Sequence, residues 1–225
     1  MPATLRLALL VCAVSVALPA VATVGEPETA TLLGYDPVDD KVYFERSDGP
    51  EDTSPPTLRY FVVQDPPPGQ TLIRAVVAES WRGDGYDARR ERLLRRLTPL
   101  EPTEADGLAL EVELGPLVAC PGQLAISAEE AAAAVALAEA PGVITVGPAD
   151  VAICQSTQVS LRVGDAVVEF PLETWGQVRV QRVDRVPGSG RLVVTVRHRG
   201  VTFEGGYDRD EVVLMPESSN GDETD

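Results

Sequence analysis

The alternation of apolar and polar residues marks most of this chain as β-strand. Leu108, Leu110, Val112 and Leu114 share one side of a two-residue period, and Ala109, Glu111 and Glu113 take the other. That pattern predicts a half-buried strand over Leu108–Leu114. Leu192, Val194 and Val196 alternate in the same way with Val193, Thr195 and Arg197, and Val178 and Val180 with outward polar residues over Gln177–Val183. Further strands are expected over Thr31–Leu33, Lys41–Glu45, Leu58–Gln64, Thr71–Glu79, Val143–Val146, Val151–Cys154, Gln158–Val163, Ala166–Pro171, Val201–Phe203 and Glu211–Met215. They are separated by turn formers such as Pro66-Pro67-Pro68-Gly69, Gly164-Asp165, Pro187-Gly188-Ser189-Gly190 and Gly205-Gly206. Two segments read as helix. Ala88–Leu97 follows Asp87 as N-cap and carries Leu93, Leu94 and Leu97. Ser127–Ala140 opens on a Ser127/Glu130 capping box and runs through alanines to Pro141-Gly142.

These many strands and two short helices predict a mainly β protein of antiparallel meander sheets, either a sandwich or partially propeller-like. The stretch Leu33-Gly34-Tyr35-Asp36-Pro37 with Lys41-Val42-Tyr43-Phe44 resembles the start of a propeller blade. The tripeptide Gly-Tyr-Asp recurs at Gly34, Gly85 and Gly206 without a fixed period. Four regions are expected: 1–22, a β-rich region with two helices over 23–140, an antiparallel β region over 141–215, and an acidic disordered tail over 216–225.

Residues Met1 to Ala22 have the layout of a cleaved secretory signal peptide. Arg6 precedes an apolar run from Leu7 to Leu18, and Ala20-Val21-Ala22 offers small residues at a cleavage site. The run is shorter than the ~20 apolar residues a membrane span takes. Cys12 follows Val11, where a lipoprotein acceptor needs a small residue. The expectation is a secreted or periplasmic chain with no transmembrane segment after processing. Cys120 and Cys154 then remain, and a lone pair in an exported chain reads as one disulfide.

Composition narrows the chemistry. Hydrophobic residues at 44% suit a folded core, so the net charge of −16 does not imply global disorder. With 35 acids against 19 bases, nucleic acid is a poor partner. One histidine, His198, excludes a multi-histidine metal site, and strand alternation puts it on the Leu192-Val194-Val196 side as a structural residue. No Gly-x-Ser-x-Gly elbow and no phosphate loop occurs. Asp36, Asp39 and Asp40 cluster in one turn, and Asp208, Asp210 and Glu211 in another. Both read as solvated turn acids rather than calcium ligands. Arg89, Arg90, Arg92, Arg95 and Arg96 crowd the first helix. Arg89, Arg92 and Arg96 are the candidates for an anionic contact, weighed against internal pairing with the surplus acids. No catalytic residue, cofactor or metal is assigned. The reading is an exported, non-enzymatic β-rich protein, a binding or envelope-associated module whose partner is a protein or envelope component. The alternative is a secreted carboxylate-dependent hydrolase, whose paired acids would sit near Trp81 or Trp175.

Overall fold

The computed structural model describes residues 28–47, 56–64, 76–79, 85–104, 107–120, 126–200 and 207–216. The signal peptide expected over 1–22, Cys12, Trp81, the strand expected at Val201–Phe203 and its Gly205-Gly206 turn lie outside these residues, as does the expected tail beyond Pro216. The described chain is mainly β, with antiparallel sheets and two short helices. Among the described residues no helix is long and apolar enough to cross a membrane.

The described strands form three sheets. The first is a meander of β1 (Ala30–Asp36), β2 (Lys41–Arg46), β3 (Thr57–Val62) and β4 (Val76–Glu79). The helix α1 (Tyr86–Leu94) and the short β5 (Glu101–Pro102) follow it. The strand β6 (Ala109–Ala119), the helix α2 (Ala128–Leu137), β7 (Gly142–Val146), β8 (Ala149–Val163) and β9 (Ala166–Thr174) come next. In that sheet β8 is flanked by β6 on one edge, and by β7 and then β9 on the other. The last three strands, β10 (Arg179–Val186), β11 (Arg191–Arg199) and β12 (Asp208–Pro216), pair in the order β12-β11-β10-β5.

Side-chain alternation stacks the three sheets face to face. On one face of the β11 sheet, Val186, Val193 and Leu214 pack with Val42, Phe44, Phe61 and Val63 of the first sheet. On the other, Leu192, Val194, Val196, Val213 and Met215 pack with Val159, Leu161, Val168, Phe170 and Leu172 of the β8 sheet. The β11 sheet is therefore the middle layer. Sheets pair at a spacing of ~10 Å, so each face is filled by interdigitating side chains. Ladder pairing runs across Pro141-Gly142: β6 lies before it and β8 after it in one sheet, and β5 joins β10 in another.

The helices sit on different layers. Leu93 and Leu97 of the α1 segment pack on Tyr43, Leu58 and Tyr60 at the outer face of the first sheet. Leu94 does not join them and is 36% exposed, because α1 offers only a narrow stripe to the sheet. The helix starts before the expected cap at Asp87: Gly85 is its N-cap at φ +110°, with no side-chain cap. Asp87 instead lies in the first turn, where a negative charge suits the helix dipole. In α2 the capping box is present: Ser127 Oγ accepts from the Glu130 N–H, and the Ser127 N–H donates to the Glu130 carboxylate. Ala134 of α2 seats against Val151 and Ile153 at one end of the β8 sheet.

Three strand expectations change. Val151–Cys154 and Gln158–Val163 are one strand, since Gln155, Ser156 and Thr157 are paired through although polar. Pro171 lies inside β9 rather than ending it, and proline is tolerated there because β9 is an edge strand among the described residues. The strand at Leu108–Leu114 forms, but its apolar side is covered only as far as Leu110. Val112 is 40% and Leu114 67% exposed.

Gly34 is required where β1 meets the segment after α1. Tyr35 and Thr98 exchange both backbone hydrogen bonds, at 2.8 and 2.7 Å. Gly34 has φ +144°, and a Cβ there would lie 2.7 Å from the Thr98 carbonyl oxygen. Gly190, at φ +62°, has open space around its missing Cβ. Gly34→Ala is expected to lower stability by roughly 2–4 kcal/mol, from strain and clash together. Gly190→Ala should cost only about 1 kcal/mol, from strain alone. Urea unfolding of the two variants checks the order, and equal losses would contradict it.

Candidate functional site

Five acids are buried among the described residues: Glu28, Asp36, Glu45, Asp184 and Asp210. Each is paired with arginine. A buried carboxylate without a partner is strongly unfavourable, so these pairings decide where the acids can sit.

The first group joins α1 to the first sheet. Glu45 faces α1 from β2, and Arg90 Nε reaches its Oε1 at 2.6 Å while Nη2 reaches Oε2 at 3.1 Å. That two-point contact matches the guanidinium fork to the carboxylate. Tyr86 also donates its hydroxyl to Glu45 Oε1. Burial, and then the bond to Glu45, push the Tyr86 phenol above its ordinary value. One helical turn beyond Arg92, Arg96 closes on the β1–β2 turn. Its Nε lies 2.8 Å from Asp36 Oδ2 as an ion pair without hydrogen-bond alignment, and its Nη2 donates to Asp39 Oδ2 at 3.0 Å. Asp36 Oδ1 accepts from the Val38 N–H at 3.1 Å, which shapes the turn.

The second group lies where the first sheet meets the edge of the middle sheet. Glu28 makes a parallel bridge to Arg209, and its carbonyl accepts from the Asp210 N–H at 3.0 Å. Its carboxylate takes Arg209 at 2.6 Å, Arg46 at 3.3 Å and the Tyr207 hydroxyl. Arg46, at the end of β2, also holds Glu211 of β12 at 3.1 Å. Asp210 is held across the ladder by Arg197, with Nε at 2.8 Å and Nη2 at 3.0 Å, and accepts from the Ala30 N–H. His198 is only 3% exposed. Its Nε2 lies 4.0 Å from Glu211 Oε1, beyond hydrogen-bond reach, and neither ring nitrogen has a hydrogen-bond partner. Burial raises the Glu211 carboxyl, but the nearby His198 ring and the Arg46 guanidinium bring it down to about 2. Burial and the bond to Glu28 push the Tyr207 phenol up to about 12.

The recurring Gly-Tyr-Asp tripeptide acquires a chemical meaning here. Tyr35 donates to Asp40 at 2.8 Å, Tyr86 to Glu45 and Tyr207 to Glu28. At the last two, the carboxylate also receives an arginine from the tyrosine's own neighbourhood, Arg90 or Arg209. The repeat is visible in the sequence and Asp40 lies in the turn next to Tyr35, but Glu45 and Glu28 stand 41 and 179 residues from Tyr86 and Tyr207, so those two pairings are not. In the third setting, Asp184 of β10 pairs with Arg182 at 2.6 Å.

The other sequence candidates fall as follows. Cys120 and Cys154 form a disulfide with their Cα atoms 5.1 Å apart, joining the end of β6 to its neighbour β8. Trp175 packs on that link. Arg96 is engaged by Asp36 and Asp39, while Arg92 is exposed and donates only to the Ala88 carbonyl at 3.3 Å among its described contacts. Arg89 is exposed one turn earlier. Asp208 lies 3.7 Å from Arg179, a long contact at the surface. Among the described residues no group of three or more His, Cys, Asp or Glu side chains is arranged to hold a metal ion.

Comparison with family models, with curated proteins and with solved structures gives no match to this chain.

The titrations set a pH window. Glu211 falls from an ordinary 4.5 to about 2 on folding, so its contribution is complete above pH 4.5 and lost as pH drops through about 2. Tyr207 rises from 10.0 to about 12, so its contribution is complete below pH 10 and lost as pH rises through about 12. In melting temperatures measured from pH 5 to 2, Glu211→Gln should flatten part of the acid-side fall, and Tyr207→Phe should leave that limb unchanged. An acid limb unaltered by Glu211→Gln would contradict the assignment.

Proposed function

We propose that this chain is an exported, non-enzymatic binding or envelope-associated module, acting in an oxidising compartment such as the periplasm or the extracellular space. The observation that carries this reading is the pairing of every buried acid among the described residues with arginine. A glycosidase-type mechanism needs one carboxyl held protonated as general acid. An adjacent guanidinium works in the opposite direction and favours the carboxylate. Glu28, Asp36 and Glu45 tie one element to another, while Asp210 and Asp184 are neutralised within their own sheet.

Two further features support export. The Leu7–Leu18 run followed by Ala20-Val21-Ala22 suits secretion and processing. The Cys120–Cys154 disulfide suits an oxidising environment. Face-to-face stacking of the sheets favours the sandwich form over the propeller form. An anionic partner for α1 would be met by Arg92, with Arg96 available only if it left Asp36 and Asp39.

Production of the full chain with its own leader in a Gram-negative host tests this reading. The expected product is periplasmic, begins at Thr23, and shows no free thiol when unfolded without reductant. A product retained in the cytosol with Met1 or two free thiols would overturn export. Hydrolysis of a panel of glycosides and esters, lost on Glu45→Gln or Asp210→Asn in a protein that still folds, would overturn the non-enzymatic reading.

A further inference from the structure

The strand β6 has an edge that no other described strand uses. It pairs with β8 alone, from Ala109↔Arg162 to Ala119↔Ile153. In an antiparallel ladder alternate residues turn their N–H and C=O groups away from the partner strand. Over Ala109–Leu114 those groups face away from β8, and six residues at ~3.3 Å each give an edge of about 20 Å that is unpaired among the described strands. The edge has a defined end. The register shifts between Leu114 and Leu117, and Pro116 has no N–H to donate.

Natural sheets usually blunt such an edge with charged side chains, a bulge or a covering loop, and Glu111 and Glu113 put charge of a single sign on this one. Here the register break lies beyond the open stretch. Along that stretch the two faces differ sharply. Leu110, Val112 and Leu114 form one side, and the last two are 40% and 67% exposed. Glu111 and Glu113 form the other side and are exposed. On that same side the ladder aligns Glu111 with Ser160 and Glu169, with the exposed Arg162 beside them opposite Ala109, so the acidic character is concentrated at Glu111, Glu113 and Glu169. Glu173, opposite Ser156, extends it.

A second copy of this chain is a poor occupant. Antiparallel self-pairing that overlaps Glu111 and Glu113 sets glutamates of one copy opposite glutamates of the other, and like charges directly opposite are destabilising. The geometry points to a different occupant: an extended segment of a partner protein that alternates basic and apolar residues and adds to β6 as a further strand. Its main chain would take up the outward N–H and C=O groups, its basic side chains would lie beside Glu111 and Glu113, and its apolar side chains would cover Val112 and Leu114. This rests on the binding-module reading above and gives it a surface and a partner chemistry.

The test uses the processed, disulfide-bonded chain and three synthetic eight-residue peptides, each acetylated and amidated. One alternates valine with lysine, one alternates valine with glutamate, and one has the lysines and valines in two blocks. The alternating lysine peptide should bind at least about tenfold more tightly than either of the others. Hydrogen exchange at the β6 amides should slow in its presence. The double variant E111K/E113K alters only exposed side chains, so it should keep the parent melting temperature. It should weaken the lysine peptide by about tenfold and take up the glutamate peptide instead. Equal binding of the blocked and alternating lysine peptides, or binding without β6 protection, would reduce the effect to general attraction by an acidic protein and overturn strand addition. Sedimentation showing a dimer of the free chain that buries β6 would overturn the choice of occupant. No peptide binding at all would also overturn the proposal, while leaving processing, disulfide state and hydrolysis to judge export and activity separately.

Discussion

A β-strand covered on both faces loses the polar half of its alternation, and β11 meets that demand with Leu192, Val193, Val194, Thr195 and Val196 in unbroken, buried succession. Its even positions fill the core against the β8 sheet, and Val193 on the odd side enters the core against the first sheet. Removing apolar surface from water contributes ~25 cal/mol per Å², so a strand that buries both faces gains on each. Every other placement follows from this middle layer. The first sheet must present Val42, Phe44, Phe61 and Val63 to it, which leaves Tyr43, Leu58 and Tyr60 for α1 on the outside.

The charged residues work at the margins of those layers. Where β11 and β12 run out of apolar residues, the middle sheet continues as Arg197, His198, Asp210 and Glu211, and the first sheet and its leading segment answer with Arg46 and Glu28. The same solution recurs at α1, where Glu45 and Asp36 meet Arg90 and Arg96. Ion pairs of this kind are weak sources of net stability, but losing one partner leaves a buried charge uncompensated. They therefore fix which surfaces meet more than they strengthen the meeting.

Much of this was readable in the sequence. Period-two alternation located most strands, the Gly164-Asp165 and Pro187–Gly190 turns joined the correct ones, and the cysteine pair and the Ser127/Glu130 cap appeared as expected. In β11 the alternation of Leu192, Val194 and Val196 with Val193, Thr195 and Arg197 suggests one buried side, whereas Val193 and Thr195 are buried as well. What alternation could not convey was the extent of a neighbouring layer. Val112 and Leu114 continue the pattern of Leu110 yet remain exposed, because coverage depends on where the facing sheet ends. The arginine–acid partners were hidden for a related reason. Arg90 and Glu45, or Arg46 and Glu211, are brought together only by the stacking, and nothing in their local sequence names the partner. The polar stretch Gln155–Thr157 looked like a break because its support comes from the ladders on either side.

Burial on both faces makes β11 the best-protected strand among the described residues. Native-state hydrogen exchange measured residue by residue in increasing urea tests it most directly. The hydrogen-bonded amides of Leu192–Val196 should be the slowest in the chain and exchange only with the full surface exposure of global unfolding. Amides of β6 should open earlier and with less exposed surface. Exchange of the β11 amides through a smaller opening, ahead of those in β8, would contradict a structure organised around that strand.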